Sequence, residues 1–198
     1  MSFAESYLAE TAAIAEQLDA SSVERLATEL AAVRDGGGRL FVLGVGGSAA
    51  HASHAACDFR KLCHFEAYAP TDNVAELTAR TNDDGWEDVF ASWLQGSRLE
   101  ARDAVLVFSV GGGDEERGVS ANLVRGVDHA RRVGAKVFGV VGRDGGYVAR
   151  TADVSVLVPT VNAERVTAHT EGMCAVVWHL LVSHPALQAQ TPKWESLR

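Results

Sequence analysis

The chain has 198 residues, 47% of them hydrophobic and 22% charged, which supplies a real core at a length that fits one domain. Its net charge of −8 argues against a nucleic-acid partner, which calls for a basic face. No apolar run approaches the ~18 residues of a membrane span, and Glu5, Glu10, Glu16 and Asp19 read against a secretory leader.

The first 35 residues predict two helices. Phe3, Tyr7, Leu8, Ile14 and Leu18 fall near helical spacing. Ser21 or Ser22 offers an N-cap for the second, which carries Val23, Leu26, Leu30 and Val33 and stops at Gly36-Gly37-Gly38. Arg39–Val45 is a short apolar run of the kind a buried parallel strand needs. A Gly-rich turn and an Ala- and His-rich helix over about 48–62 follow, then a weaker strand near 64–69. Asp72 is expected to cap a helix running to about Arg80, Asn82–Gly85 breaks it, and Trp86–Gln95 forms another. Ala104–Val110 is a second strong strand, followed by a Gly-rich loop and a helix near Val119–Val133 with Ser120 as its cap. Lys136–Gly142 reads as a strand, Gly145–Thr151 as a short helix and Val154–Val158 as a strand closed by Pro159. A last helix spans about Val166 to Ser183, and Pro185 ends it.

Strands alternating with helices through short links predict an α/β fold, a parallel sheet covered on both faces. One domain is expected, with a helical pair at 1–35, the α/β core at 36–184 and a polar tail at 185–198 that carries Trp194. Three scattered cysteines, Cys57, Cys63 and Cys174, read as reduced thiols, Cys57 as a packing residue, and the location as cytoplasmic. Trp86, Phe90 and Trp93 lie at helical spacing and read as core or subunit interface.

Ligands of open parallel sheets bind outside the carboxyl ends of the strands. Two strands here end in Gly-rich loops, Gly44-Val45-Gly46-Gly47-Ser48 and Ser109-Val110-Gly111-Gly112-Gly113. Glycines let the backbone approach an anion, and the helix that follows presents unpaired N–H groups. One such loop is as well explained as a tight turn, but two at equivalent strand ends favour an anion site. The first loop lacks the dinucleotide spacing, and neither loop has the Lys-Ser/Thr of a nucleotide-hydrolysing loop.

The helix after the first loop carries His51, His54 and Asp58, with His54 and Asp58 at i, i+4 on one face. The last helix carries Glu171 and His179, with His169 and His184 nearby. His179 sits in the apolar stretch Val176–Leu181, where a lone histidine reads first as a hydrogen-bonded core residue. A second histidine–carboxylate pair on another helix weighs against that. Two imidazoles and two carboxylates form a tetrahedral zinc site or supply an acid and a base for proton transfer; spacing does not say whether the helices meet.

Gly44–Ser48 with its Ala-rich helix, Asn82-Asp83-Asp84-Gly85-Trp86, Val105–Ser109 and Val141-Gly142-Arg143-Asp144-Gly145-Gly146 together resemble the sugar isomerase (SIS) domain, from the N-terminal helices to about His184. Within it they resemble the sedoheptulose 7-phosphate, or phosphoheptose, isomerases. The resemblance implies a three-layer α-β-α sandwich with a five-stranded parallel sheet, a homotetramer, and aldose–ketose isomerisation of sedoheptulose 7-phosphate through an enediol. It implies Zn2+ held by His54, Asp58, Glu171 and His179, with Asp58 or Glu171 as base and His179 as acid partner. Gly46, Gly47, Ser48, Asp83, Ser109, Gly111, Gly112 and Ser120 are implied as substrate or phosphate contacts.

The chain departs from the family pattern at several of these positions. Val45 replaces an Asn, Asp58 a Glu and Glu171 a Gln, while Ser109–Ser120 replaces a shorter Ser-Thr-Ser-Gly-Asn-Ser loop and adds Asp114, Glu115, Glu116 and Arg117. These changes shift the anion toward Ser109–Ser120, leave Gly44–Ser48 nearer the sugar, and leave the exact sugar open. The alternatives are an isomerase or lyase for another (amino-)sugar phosphate, and a non-catalytic sugar-phosphate sensor. The sensors of this fold carry a basic DNA-binding segment that this acidic chain lacks.

Overall fold

A computed structural model describes residues 1–197. Two helices open the chain, α1 (Phe3–Gln17) and α2 (Ala20–Asp35). Ser2 Oγ accepts from the Glu5 N–H while Glu5 Oε2 accepts from the Ser2 N–H, a reciprocal cap that closes two free donors of α1. The cap of α2 is Asp19, not Ser21 or Ser22. Its carboxylate accepts from the Ser21 N–H and from both serine hydroxyls, so the two serines serve the cap without being it.

The sheet is all parallel, in the order β2-β1-β3-β4-β5, from β1 (Leu40–Leu43), β2 (Ala67–Tyr68), β3 (Ala104–Ser109), β4 (Lys136–Val141) and β5 (Val154–Leu157). All residues of β1 and β3 are buried, as their unbroken apolar runs predict. Alternation divides them between two cores. Leu40, Val42, Leu106 and Phe108 face a layer that includes α2, α3 (Gly47–Cys63) and α8 (Val166–Ser183), while Phe41, Leu43, Val105 and Val107 face α5 (Val89–Gly96), α6 (Ala121–Arg132) and α7 (Gly146–Thr151). Each large side chain so buried contributes ~1.5–3 kcal/mol.

This order places a topological switch between β1 and β3. The chain leaves β1 for α3 on one face and leaves β3 for α6 on the other, so the two Gly-rich loops part and open a crevice at the carboxyl ends of those strands.

Several boundaries move. β2 keeps only two residues of the expected 64–69. Asn73, not Asp72, caps α4 (Val74–Asp83), because Pro70–Asp72 forms a 3-10 turn first. The Trp86–Gln95 helix starts only at Val89, and Trp86 is exposed while Phe90 is buried. Cys57 is exposed, not packed, whereas Cys63 and Cys174 are buried, and burial pushes their thiols up to about 11 and about 12. After α8 the tail returns to the body, where Ala189 and Gln190 donate to the Leu62 carbonyl; a short helix, α9 (Lys193–Ser196), follows with Trp194 exposed. Arg198 lies outside the described residues.

Candidate active site

α3 and α8 lie side by side and run in the same direction, in contact from the first turn of α3 to the last turn of both. Gly47 faces Glu171, Asp58 faces Trp178 and His179, and the Cys63 thiol faces the Val182 carbonyl. This pairing brings together the two histidine–carboxylate sets that spacing alone left apart.

Three of those four residues meet. His54 Nε2 lies 3.5 Å and His179 Nε2 3.7 Å from Asp58 Oδ2, and one ligand atom from each of the three falls within 4.8 Å of the others. The two imidazoles are half exposed, whereas Asp58 is largely covered, so the group faces outward from the helix pair. His179 is therefore not the core histidine its apolar surroundings suggest. Buried Trp178, its neighbour, fills that role and donates from Nε1 to Asp58 Oδ2 at 3.3 Å.

The chemistry of this donor set fits a metal. His179 Nδ1 lies 2.7 Å from the Ala175 carbonyl, which only accepts, so Nδ1 carries a proton. In the neutral ring Nε2 is then a bare lone pair facing a carboxylate oxygen. A cation between them satisfies both, and two imidazoles with one carboxylate are a common catalytic zinc set with a position left open.

Glu171 does not join the three. Two helical turns before His179, its carboxylate lies over Gly47, where a Cβ would come within 2.5–2.7 Å of it. Among the described residues it forms no side-chain hydrogen bond, and it lines a cavity of ≈ 760 Å³ at the switch point. His51, one turn after Gly47, packs tilted against Trp178 with ring centroids 5.0 Å apart; burial holds its imidazole below the usual range, only partly opposed by the Glu171 charge.

The cavity collects Ser48, Ser109, Gly111 and Ser120 from the implied phosphate contacts, with Val45, Phe108, Gly113 and Asp144. Other implied contacts stand elsewhere. Gly46 is the turn residue before α3, at φ 62°, and Gly47 borders Glu171. Gly112 lies beneath the loop with φ 70°, where a Cβ would stand 1.8 Å from the Gly145 carbonyl oxygen, so it is a packing glycine. Asp83 ends α4, exposed and bonded to Asn82, and does not line the cavity. Ser120 precedes α6 in the left-handed region, makes no side-chain cap bond and lines the cavity. Sequence reasoning missed Arg143 and Arg150 as cavity residues and noted Arg117 only as loop charge. The Gly142-Arg143-Asp144-Gly145-Gly146 turn was the available signal, since it closes the neighbouring strand end.

The fold and site define a parallel α/β domain with a polar crevice at its topological switch point. The chain matches the SIS domain over residues 6–142 and belongs to that family. It is 30% identical over 148 residues to a probable phosphoheptose isomerase of Thermoplasma volcanium, covering 71% of each chain. It is also 34% identical over 162 residues to the lincomycin biosynthesis protein LmbN of Streptomyces lincolnensis, covering 79% of this chain and 57% of that one. A solved phosphoheptose isomerase from Neisseria gonorrhoeae superposes with a TM-score of 0.79 at 25% identity, covering 90% of this chain and 95% of that one.

Proposed function

We propose that this chain is an aldose–ketose isomerase of a phosphorylated sugar, converting sedoheptulose 7-phosphate to D-glycero-D-manno-heptose 7-phosphate through an enediol. The observation that carries this reading is Glu171, a carboxylate with no side-chain hydrogen bond among the described residues, at the wall of a cavity built on two Gly-rich strand ends; the His54, Asp58 and His179 group lies on the same helix pair, outside the cavity lining. The names of its relatives support the same reaction.

The reaction moves a proton between C1 and C2 and needs stabilisation of the charge that builds on oxygen. Asp58 Oδ2 is already engaged by Trp178 and faces both imidazoles, whereas Glu171 is free and borders the cavity. Glu171 is therefore the base, and Asp58 a metal ligand beside the two histidines. His54, Asp58 and His179 would hold Zn2+, whose Lewis acidity would serve to polarise a substrate oxygen. Ser48, Ser109 and Ser120 orient the phosphorylated end, and Phe108 and Val45 limit water beside the reacting carbons.

Val176 and Leu180, exposed on α8 beside His179, support assembly with further copies of the chain, a homotetramer by resemblance. Three free cysteines support a cytoplasmic location, and no described helix is long and apolar enough to cross a membrane. Purified protein incubated with sedoheptulose 7-phosphate is expected to form the aldose, with zinc bound and activity lost on chelation. No turnover there, with turnover of another ketose phosphate, overturns the substrate; full activity without metal overturns the zinc role.

A further inference from the structure

The cavity draws three arginines to one place in a chain of net charge −8: Arg117, Arg143 and Arg150. Its two aspartates are used in turns. Asp114 Oδ1 accepts from the Arg117 N–H at 3.0 Å, and Asp144 Oδ1 accepts from the Gly146 N–H at 3.2 Å. Arg117 also faces Asp114 at 3.7 Å. Among the described residues neither Arg143 nor Arg150 has a carboxylate partner, and Arg150 rests over the Tyr147 ring at 5.9 Å.

Arg143 is placed at a cost. Its φ of 54° puts a β-carbon in the left-handed region, where glycine is the default, although glycines surround it at 142, 145 and 146. Its side chain lies along the Ser109–Ser120 loop: a Cβ at Gly111 would stand 3.5 Å from Arg143 Cδ, ordinary van der Waals contact. That loop, Ser109–Ser120, offers hydroxyls only at its two ends. Ser109 Oγ accepts from the Gly112 N–H at 3.0 Å and keeps its own proton to donate.

We propose that Arg143 and Arg150 form a guanidinium clamp that selects a dianionic phosphate monoester and holds its phosphoryl group against Ser109 and Ser120, with Arg117 closing from the added loop. The proposal rests on the phosphorylated-sugar reading of the cavity. Planar guanidinium forks bind phosphate oxygens in pairs and keep their charge at every working pH. They supply what a loop short of hydroxyls cannot.

The test is calorimetric titration of the full chain with inorganic phosphate, then with sedoheptulose 7-phosphate. Arg143→Gly and Arg150→Ala are each expected to weaken phosphate binding at least tenfold, Arg150→Lys to recover part of it, and Arg102→Ala, an exposed arginine paired with Glu100, to bind as the parent does. Arg143→Gly is expected to keep or raise Tm, which separates lost binding from lost fold. In turnover, KM rises by at least the same factor while kcat changes less. Phosphate affinity within twofold of the parent in the double variant overturns the clamp, as does a parent that binds no phosphate. Arginine-dependent phosphate binding without sedoheptulose 7-phosphate turnover supports the clamp and defeats the isomerase assignment alone.

Discussion

Gly47→Ala isolates the role of Glu171. Gly47 is the first residue of α3, and its φ is not positive, so the backbone accepts alanine. The new Cβ would stand 2.5 Å from Glu171 Oε1 and 2.7 Å from Cδ and Oε2. Ordinary contact between such atoms lies near ~3.5 Å, so the carboxylate must retreat by about 1 Å. It is the far end of a flexible chain, so the side chain swings and the backbone stays. Alanine meanwhile removes the helix penalty of glycine, worth at most ~1 kcal/mol. Tm is then expected to hold or rise by ~2–4 °C, while a ~1 Å displacement of a proton-transfer group lowers kcat about 100-fold. The assay is kcat by coupled detection of aldose, with Tm by calorimetry. In a Glu171→Gln background the alanine is expected to add little further loss, as two changes acting on one group should. Unchanged kcat, or full additivity with Glu171→Gln, refutes Glu171 as base.

Gly112→Ala is expected to fail differently. Its Cβ would meet the backbone oxygen of Gly145 at 1.8 Å, at φ 70°, with no flexible atom to yield, so stability drops by at least ~3 kcal/mol in denaturant melts. Asp103→Asn tests the base of β3: the buried carboxylate accepts from the Arg39 N–H, Nε and Nη2 and from the Glu100 N–H. Burial pushes its carboxyl up, but those hydrogen bonds outweigh it and hold the group below its usual range; breaking the pair costs ~3–5 kcal/mol by the same measurement. Glu10 on α1 accepts from Asn162, His169 and Arg165, and these bonds, Asn162 and His169 foremost, hold its carboxyl down to about 2 from an ordinary 4.5. A depressed carboxyl stabilises the fold above 4.5 and loses that contribution as pH falls toward 2, so Glu10→Gln is expected to flatten the stability–pH curve across that window. An unaltered slope there would dismiss the contact as a stabiliser.

The strands were legible because burial on both faces leaves no polar residue to interrupt them, as in Leu40–Leu43 and Ala104–Ser109. Helix ends were less so. Asp19 and Asn73 lie one to three residues from the predicted caps, because several adjacent side chains were chemically able to cap and only the backbone turn chooses among them. His54 and Asp58 declared themselves by helical spacing, and Glu171 and His179 by type. That Glu171 parts from the other three depends on the step between α3 and α8, which no local pattern encodes. Arg143 and Arg150 were hidden for a related reason: they follow β4, and only the sheet order brings that strand end beside the loop after β3.

The departures from the family pattern acquire a common logic once α3 and α8 are set in register. A residue that ligates a metal tightly is a poor proton carrier, so one set of four donors cannot serve both purposes at every position. Here the four divide. The shortened Asp58 stays close to its own helix, covered and bonded to Trp178, with Nε2 of His54 and of His179 at 3.5 and 3.7 Å from its Oδ2. The carboxylate at Glu171 stands two turns away against Gly47, at the wall of the cavity and with no side-chain hydrogen bond among the described residues, where the proposed mechanism needs its base. Under the proposed mechanism, Asp58 in place of a Glu and Glu171 in place of a Gln move the proton-carrying carboxylate from one helix to the other. The Gly44–Ser48 loop makes this position possible, because a side chain at Gly47 would occupy the space that the Glu171 carboxylate fills.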